Sequence, residues 1–231
     1  MTTITISRQY GSRGDEIIDR VCQMLGYHPF GKAEIVQAAF EAGLSALEAV
    51  DYTEDDYKVK SFLDRLFRRH TTIAQMHVWK ENAAGVRSVE NIDIDEENAL
   101  ALVQKAVRAA YQSGNMVIVG RGGQVILKGL ANTLHVRIEA DMEDRIHFVK
   151  NQLKQSRGTE PMGTTENVAL RREAQDLISS RDAASAGYIR QFYGYDWAEP
   201  TLYDLIIDTS QVGVDMAVKS IIERAHAPQL V

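Results

Sequence analysis

The first 26 residues constrain the fold most, because they have the pattern of a strand, a glycine-containing turn and a helix. The opening run, residues 2–7, is rich in β-branched side chains, which favour strands. Apolar residues then recur at helical spacing through residues 15–25, and Gly26 follows as a helix stop. The intervening turn, residues 8–14, would present backbone N–H groups at a helix start, where an anion can bind.

The turn departs from the full phosphate-loop pattern, which is Gly, four residues, Gly-Lys and then Ser or Thr. Arg8 stands at the first Gly position when the strand ends at Ile6. Gly14 then falls at the Lys position, and the acidic residues Asp15 and Glu16 follow it where the pattern has Ser or Thr. The turn alone therefore leaves two interpretations open: an anion site, or a tight connection between strand and helix without a ligand.

The net charge of −6 argues against general nucleic-acid binding by this chain of 231 residues. The single cysteine, Cys22, lies on the apolar face of the first predicted helix. It can form no disulfide within the chain, which fits a reducing compartment. We find no apolar run long enough to span a membrane and no secretory signal. The expected location is therefore the cytoplasm.

Short apolar strands alternate with helical patterns along the rest of the chain. Strands are predicted at residues 27–30, 116–119, 134–140 and 203–208. Helices are predicted at residues 32–42, 58–77, 96–112, 124–128, 142–155, 166–193 and 214–225, with loops at 82–91 and 156–165. This alternation predicts an α/β fold with a parallel sheet that is covered by helices on both faces.

A second glycine turn follows the apolar strand at residues 116–119, and it consists of Gly120, Arg121, Gly122 and Gly123. Because ligands of parallel sheets bind beyond the carboxyl ends of the strands, both glycine turns should face one cleft. Two such turns with arginines indicate an anion site more strongly than either turn alone.

Taken together, these residues resemble the bacterial cytidylate kinase-like family, whose members are similar to nucleoside monophosphate kinases. Residues 4–14, Ile-Thr-Ile-Ser-Arg-Gln-Tyr-Gly-Ser-Arg-Gly, are similar to the family's degenerate phosphate loop. Residues 29–35 look like its second-strand segment, and residues 197–210 resemble its closing strand. Residues 119–122 are like the Gly-Arg turn that contacts the acceptor phosphate in cytidylate kinases.

The resemblance implies a three-layer α/β fold of the P-loop NTPase type, in which a parallel sheet is flanked by helices and carries a helical insert and a lid. The whole chain, residues 1–231, would form a single kinase-like domain. Its parts would be a core at 1–30, 113–150 and 200–231, a helical acceptor-binding insert at 31–112, and a lid at 151–199. The implied activity is ATP-dependent phosphoryl transfer to a small molecule, most readily a nucleoside monophosphate, with ATP and Mg²⁺ as cofactors.

Phosphoryl transfer needs positive charge around the transferred group, and arginine supplies it with a fork that binds phosphate bidentately. The candidate catalytic residues are Arg121, Arg181 and Arg190. The candidate cofactor-binding residues are those of the first turn: Arg8, Gly11, Ser12, Arg13, Gly14, Asp15 and Glu16. The candidate substrate-binding residues are those of the second turn: Gly120, Arg121, Gly122 and Gly123. The six histidines show no metal-ligand spacing, so no metal-binding residue is assigned.

Several positions depart from the pattern of true cytidylate kinases. The phosphate-loop Lys is replaced by Gly14, and acidic residues, Asp15 and Glu16, stand where the Mg-binding Ser or Thr is expected. The second lid arginine corresponds to Ser185, and the aspartate that helps to read the base corresponds to Gly122. These departures support an alternative, a catalytically impaired nucleotide-binding or regulatory protein on the same scaffold. A structural subunit without a ligand is a third interpretation.

The expected partners are small nucleotides. The insert at residues 31–112 is longer than the core fold needs. It could bind the acceptor, form a homodimer interface, or do both.

Overall fold

The computed structural model describes residues 2–31, 34, 74–81, 87–94, 96–157 and 163–227 of the chain. The main sheet contains five parallel strands: β1 (Thr3–Arg8), β2 (His28–Phe30), β5 (Met116–Val119), β6 (Thr133–Glu139) and β7 (Leu205–Asp208). Their spatial order is β2-β5-β1-β6-β7, so β1 lies in the middle. Ile6 of β1 is in register with Val119 of β5 and with Val136 of β6. The carboxyl ends of these three strands therefore lie side by side.

The helices of the described part follow the strands in the order that a parallel sheet requires. They are α1 (Gly14–Leu25), α2 (Glu96–Ser113), α3 (Gly123–Ile126), α4 (Met142–Arg157), α5 (Thr164–Tyr193) and α6 (Thr209–His226), with a 3-10 turn at Pro200–Leu202. Helix α6 has a kink at Gly213, where φ is 70° and ψ is 169°.

Helices cover both faces of the main sheet. On one face, α1 and α6 pack on the sheet through a core that includes Ile17 and Ile221. On the other face, α2 and α3 pack on it through Val107 and Ile126. Helices α4 and α5 pack against each other, and Ile178 is fully buried between them. The expected three-layer α/β architecture is confirmed.

The central strand β1 is buried on both faces, but only one of its faces is apolar. Ile4 and Ile6 lie in the core that contains α1 and α6, and neither is exposed. On the opposite face, Thr5 Oγ1 lies 2.8 Å from His135 Nδ1. Ser7 Oγ accepts a 2.7 Å hydrogen bond from Trp197 Nε1. These bonds offset the cost of burying hydroxyl groups in the middle of the sheet.

The prediction for residues 58–91 is wrong where the structure describes it. Ala74–Glu81 and Arg87–Ile94 form strands β3 and β4 of an antiparallel hairpin, with Trp79 opposite Val89, in place of a helix end and a loop. The hairpin signal was present, since two runs with aromatic and β-branched residues flank five residues that include Gly85. The expected insert is therefore not wholly helical.

The remaining elements agree with the sequence. The other predicted strands and helices with described residues lie within two residues of the observed bounds, except that the closing helix begins five residues early, ahead of its kink. Apart from residue 34, the predicted helix at 32–42 lies outside the described residues, and so do residues 58–73 of the predicted helix at 58–77 and residues 158–162 of the loop at 156–165. The division into core, insert and lid stays a prediction.

One prediction concerns the protonation of His135, which is buried beside Thr5 on β1. Burial lowers the pKa of His135 from its ordinary value of 6.5, and the nearby Asp204 carboxylate opposes this shift. The unfolded chain therefore takes up the proton at a higher pH than the folded one does. The stability that neutral His135 gives the folded state is complete above about pH 6.5. It is lost as the pH falls towards the pKa of His135 in the folded state.

We expect the free energy of unfolding, measured by urea titration, to fall between about pH 7.5 and about pH 5.5. The variant His135→Gln should show a smaller fall, because its side chain does not titrate. The exposed His147 provides the matched control, and His147→Gln should keep the wild-type pH dependence. An equal fall in wild type and in His135→Gln would contradict the prediction.

Candidate functional site

A cleft of about 510 Å³ opens at the carboxyl end of β1, between the start of α1 and the helices α4 and α5. It is lined by Arg8, Gln9, Tyr10, Gly11, Arg13, Gly14, Asp15, Glu16, Asp19, Arg20, Phe148, Gln152, Arg181, Asp182 and Ser185. The cleft thus brings together all the candidate cofactor-binding residues except Ser12. It also adds Arg181 from α5.

The turn that follows β1 is held in a tightly curled shape. Gly11 and Arg13 have φ values of 84° and 61°, in the left-handed region. Between them, Ser12 is only 1% exposed, and its hydroxyl donates a 2.8 Å hydrogen bond to the carbonyl of Gln9. The Thr209 hydroxyl donates to the Ser12 carbonyl at 3.0 Å, which ties the turn to the start of α6. Ser12 thus fixes the turn and does not line the cleft.

The two glycines of this turn are required by packing. A Cβ atom at Gly11 would lie 2.9 Å from Val149 of α4. A Cβ atom at Gly14 would lie 2.6 Å from the Cβ of Arg8. Such distances are too short for carbon atoms, so a side chain at either position would push the turn away from α4 or from Arg8.

The acidic residues at the start of α1 are paired with arginines of the same turn. Arg8 Nε lies 2.9 Å from Asp15 Oδ1. Arg13 Nη2 lies 2.8 Å from Glu16 Oε2. Each carboxylate therefore has a nearby positive charge that reduces its repulsion of an anionic ligand. To bind such a ligand, Arg8 and Arg13 would have to exchange these carboxylates for it.

The second glycine turn connects β5 to α3. Gly120, Arg121 and Gly122 have φ values of 63°, 62° and 69°, so all three adopt the left-handed conformation. Arg121 is 3% exposed and is not among the residues that line the cleft described above. A Cβ atom at Gly122 would lie 2.6 Å from the ring of Tyr193, so this glycine allows the end of α5 to pack on the turn. The turn thus lies beside β1 but outside that cleft.

The two candidate arginines of α5 are separated. Arg181 lines the cleft, whereas the side chain of Arg190 is 74% exposed and lies 3.5 Å from Asp196. Nine residues correspond to two and a half helical turns, which places the two side chains on opposite sides of the helix. Only Arg181 is in a position to reach a ligand in the cleft.

Arg145 lies beneath the first turn and was not among the residues predicted from the sequence. Its Nη1 donates a 2.5 Å hydrogen bond to Asp182 Oδ2, and it lies 3.4 Å from the carbonyl of Tyr10. The other oxygen of Asp182, Oδ1, accepts a 2.9 Å hydrogen bond from the Tyr10 N–H. A signal existed in the helical pattern, since Arg145 lies four residues before Val149 on the buried side of α4.

The described residues contain neither a metal-binding cluster nor a membrane-spanning helix. No cluster of three or more histidine, cysteine or acidic residues with the arrangement of a metal site occurs among them. None of the helices in the described part is long and apolar enough to cross a membrane.

The chain matches the model of the cytidylate kinase-like family over residues 3–211. Among solved structures, it is similar to an uncharacterized protein from Eubacterium ventriosum ATCC 27560, with 15% identity, coverage of 99% of this chain and 100% of the other, and a TM-score of 0.63. No curated protein matches the chain. The family match and the sheet order together show the P-loop NTPase type of fold.

Two kinases were also found among the solved structures. Shikimate kinase from Acinetobacter baumannii, in complex with shikimate, is 10% identical, with coverage of 100% of this chain and 96% of the other and a TM-score of 0.46. Shikimate kinase from Bacteroides thetaiotaomicron is 10% identical, with coverage of 98% and 99% and a TM-score of 0.47. These two likenesses are too weak to support a substrate.

The packing of Gly14 yields a prediction about the first turn. If ATP binds at this turn, Gly14→Ala should weaken its binding by about tenfold or more, because the added Cβ displaces Arg8 and distorts the turn. Calorimetric titration would measure the affinity. The control is Gly26→Ala at the other end of α1, where φ is 65° and no atom lies within 4 Å of the added Cβ. This control should lose about 1 kcal/mol of stability and keep its ATP affinity. Equal affinities in the two variants would exclude the turn as the binding site.

Proposed function

Because the chain belongs to the cytidylate kinase-like family, we propose that it transfers a phosphoryl group from ATP to a small acceptor, most readily a nucleoside monophosphate. The observation that carries this proposal is the cleft at the carboxyl end of β1. There, a curled turn, the start of α1 and four arginines, Arg8, Arg13, Arg20 and Arg181, surround one space. A helix start and several guanidinium groups provide what a chain of phosphates requires.

The residues of the cleft fit both of the expected cofactors. Backbone N–H groups of the turn and the guanidinium groups of Arg8 and Arg13 would hold the phosphates of ATP. The carboxylates of Asp15 and Glu16 are oxygen donors of the kind that Mg²⁺ prefers. When bound, Mg²⁺ neutralises charge on the phosphates. The proposed task of Arg181 is to add positive charge near the transferred group.

We propose that the second turn and the insert bind the acceptor. In this proposal Arg121 binds the acceptor phosphate. Gly120, Gly122 and Gly123 form the turn that holds Arg121, with Gly122 packed on Tyr193 and Gly123 packed on Ile118. Gly122 occupies the position of the base-reading aspartate of cytidylate kinases. The proposal therefore names nucleoside monophosphates as a class and not cytidylate in particular.

The proposed lid, residues 151–199, would close over the cleft and exclude water from the phosphates. Its long helix α5 already contributes Arg181, Asp182 and Ser185 to the lining. Water must be excluded because it would otherwise react with the phosphoryl group of ATP in place of the acceptor.

A second candidate function is nucleotide binding without catalysis. It is favoured by Gly14 at the position of the phosphate-loop Lys, and by the acidic residues that engage the arginines of the turn. Incubation with ATP labelled in its γ-phosphate, Mg²⁺ and a panel of nucleoside monophosphates separates the two. A kinase should yield a labelled nucleoside diphosphate, whereas the alternative predicts ATP binding without transfer. The absence of both would contradict both functions.

A prediction for Arg121 tests the acceptor site. Arg121→Lys keeps the charge but loses the bidentate fork, so the affinity for the acceptor should fall by about tenfold or more. The affinity for ATP should stay within about twofold, because ATP binds at the other turn in this proposal. Arg108→Lys on the exposed face of α2 is the control and should change neither affinity.

The result that would refute this role is a parallel loss. If Arg121→Lys lowered the melting temperature and weakened ATP and acceptor equally, Arg121 would hold the sheet together and would not contact the acceptor.

A further inference from the structure

The carboxylate of Asp182 reaches from α5 into the first turn and makes two contacts there. One oxygen accepts the hydrogen bond of the Tyr10 N–H at 2.9 Å. The other accepts the hydrogen bond of Arg145 Nη1 at 2.5 Å. A guanidinium group and a backbone N–H of a curled turn are both donors that bind anions, and here they bind the same anion.

The burial of these groups shows which of them faces the ligand space. The side chain of Arg145 is 6% exposed, and that of Asp182 is 20% exposed. Tyr10 and Asp182 line the cleft, whereas Arg145 does not. The Asp182 carboxylate therefore lies between the cleft and the guanidinium group of Arg145. Moreover, the buried Nε of Arg145 has no hydrogen-bond partner among the described residues, so this guanidinium retains an unused donor.

We propose that the Tyr10 N–H and the Arg145 guanidinium form a phosphate-binding position, which the Asp182 carboxylate occupies and from which a ligand phosphate displaces it. A phosphate group carries more negative charge than a carboxylate and has more acceptor oxygens, so it can use both donors together with the free Nε. Asp182 is in this view an internal competitor of the ligand. Arg145 takes the place of the phosphate-loop lysine that the chain lacks.

The exchange also connects the turn to α5. While Asp182 binds Arg145 and the Tyr10 N–H, these contacts hold α5 against the turn. A phosphate that displaced the Asp182 carboxylate would break these contacts, so α5 could move and bring the neighbouring Arg181 to the phosphates. The inference rests on the proposed function only in the choice of a phosphate as the anion.

The test measures the affinity for inorganic tripolyphosphate by calorimetric titration of the full chain. Asp182→Asn removes the competing charge and keeps the size of the side chain, so it should bind tripolyphosphate about tenfold more tightly than wild type. Asp176→Asn is the matched control, because Asp176 is an exposed acid on the same helix. It removes the same charge and should stay within about twofold of wild type.

A double variant tests whether the guanidinium group of Arg145 binds the phosphate. Adding Arg145→Gln to Asp182→Asn should abolish the gain, with a loss of about tenfold or more in tripolyphosphate affinity. If Asp182→Asn bound no more tightly than wild type, or if none of the variants bound tripolyphosphate, Asp182 and Arg145 would form a structural pair and the proposal would be wrong.

The outcome does not depend on catalysis. Tighter binding by Asp182→Asn in a chain that transfers no phosphoryl group would refute the kinase and support the phosphate position. Transfer by wild type together with unchanged binding by Asp182→Asn would refute the phosphate position alone.

A measurement on the wild-type protein covers the case in which Asp182→Asn does not fold. The carboxyl carbon of Asp182, followed by ¹³C NMR, should shift as tripolyphosphate saturates the protein, because the carboxylate leaves the guanidinium group. A resonance that stays fixed at saturation would overturn the proposal.

Discussion

The site depends on one constraint, the burial of β1 in the middle of a parallel sheet. Ile4 and Ile6 of this strand are completely buried, and its neighbours β5 and β6 run in the same direction in close register. The chain must therefore leave the sheet at the edge where the connections after β5 and β6 also leave it. A turn that leads into α1 at this edge presents a helix start to the solvent-filled space beyond the strands.

Around that turn, arginines supply the positive charge that a phosphate loop obtains from one lysine. Arg8 is paired with Asp15, Arg13 with Glu16 and Arg145 with Asp182. The first two pairs are partly exposed and contribute little to stability. The third is largely buried, so removing one partner would leave a costly unpaired charge. An anionic ligand at the proposed site would have to compete with these carboxylates, so the acid at each position would influence the affinity for that ligand.

Local patterns in the sequence predicted the core of the fold well. Strand β1, the turn that follows it and α1 could be predicted from β-branched residues, helical spacing and Gly26, because each signal lies within one element. The hairpin Ala74–Glu81 and Arg87–Ile94 was not predicted from these patterns, because the apolar residues of 58–77 recur at helical spacing and residues 82–91 show no clear period. The contacts of Asp182 with Tyr10 and Arg145 could not be predicted, since they join residues 172 and 37 positions apart and no periodicity reports such a distance.

The most direct test of this account is a crystal structure of the protein with Mg²⁺ and a non-hydrolysable ATP analogue. The account predicts that the triphosphate lies over the turn after β1, that the Tyr10 N–H donates to a phosphate oxygen, and that Asp182 has left Arg145. A triphosphate bound away from this turn, with the contacts of Asp182 intact, would contradict it.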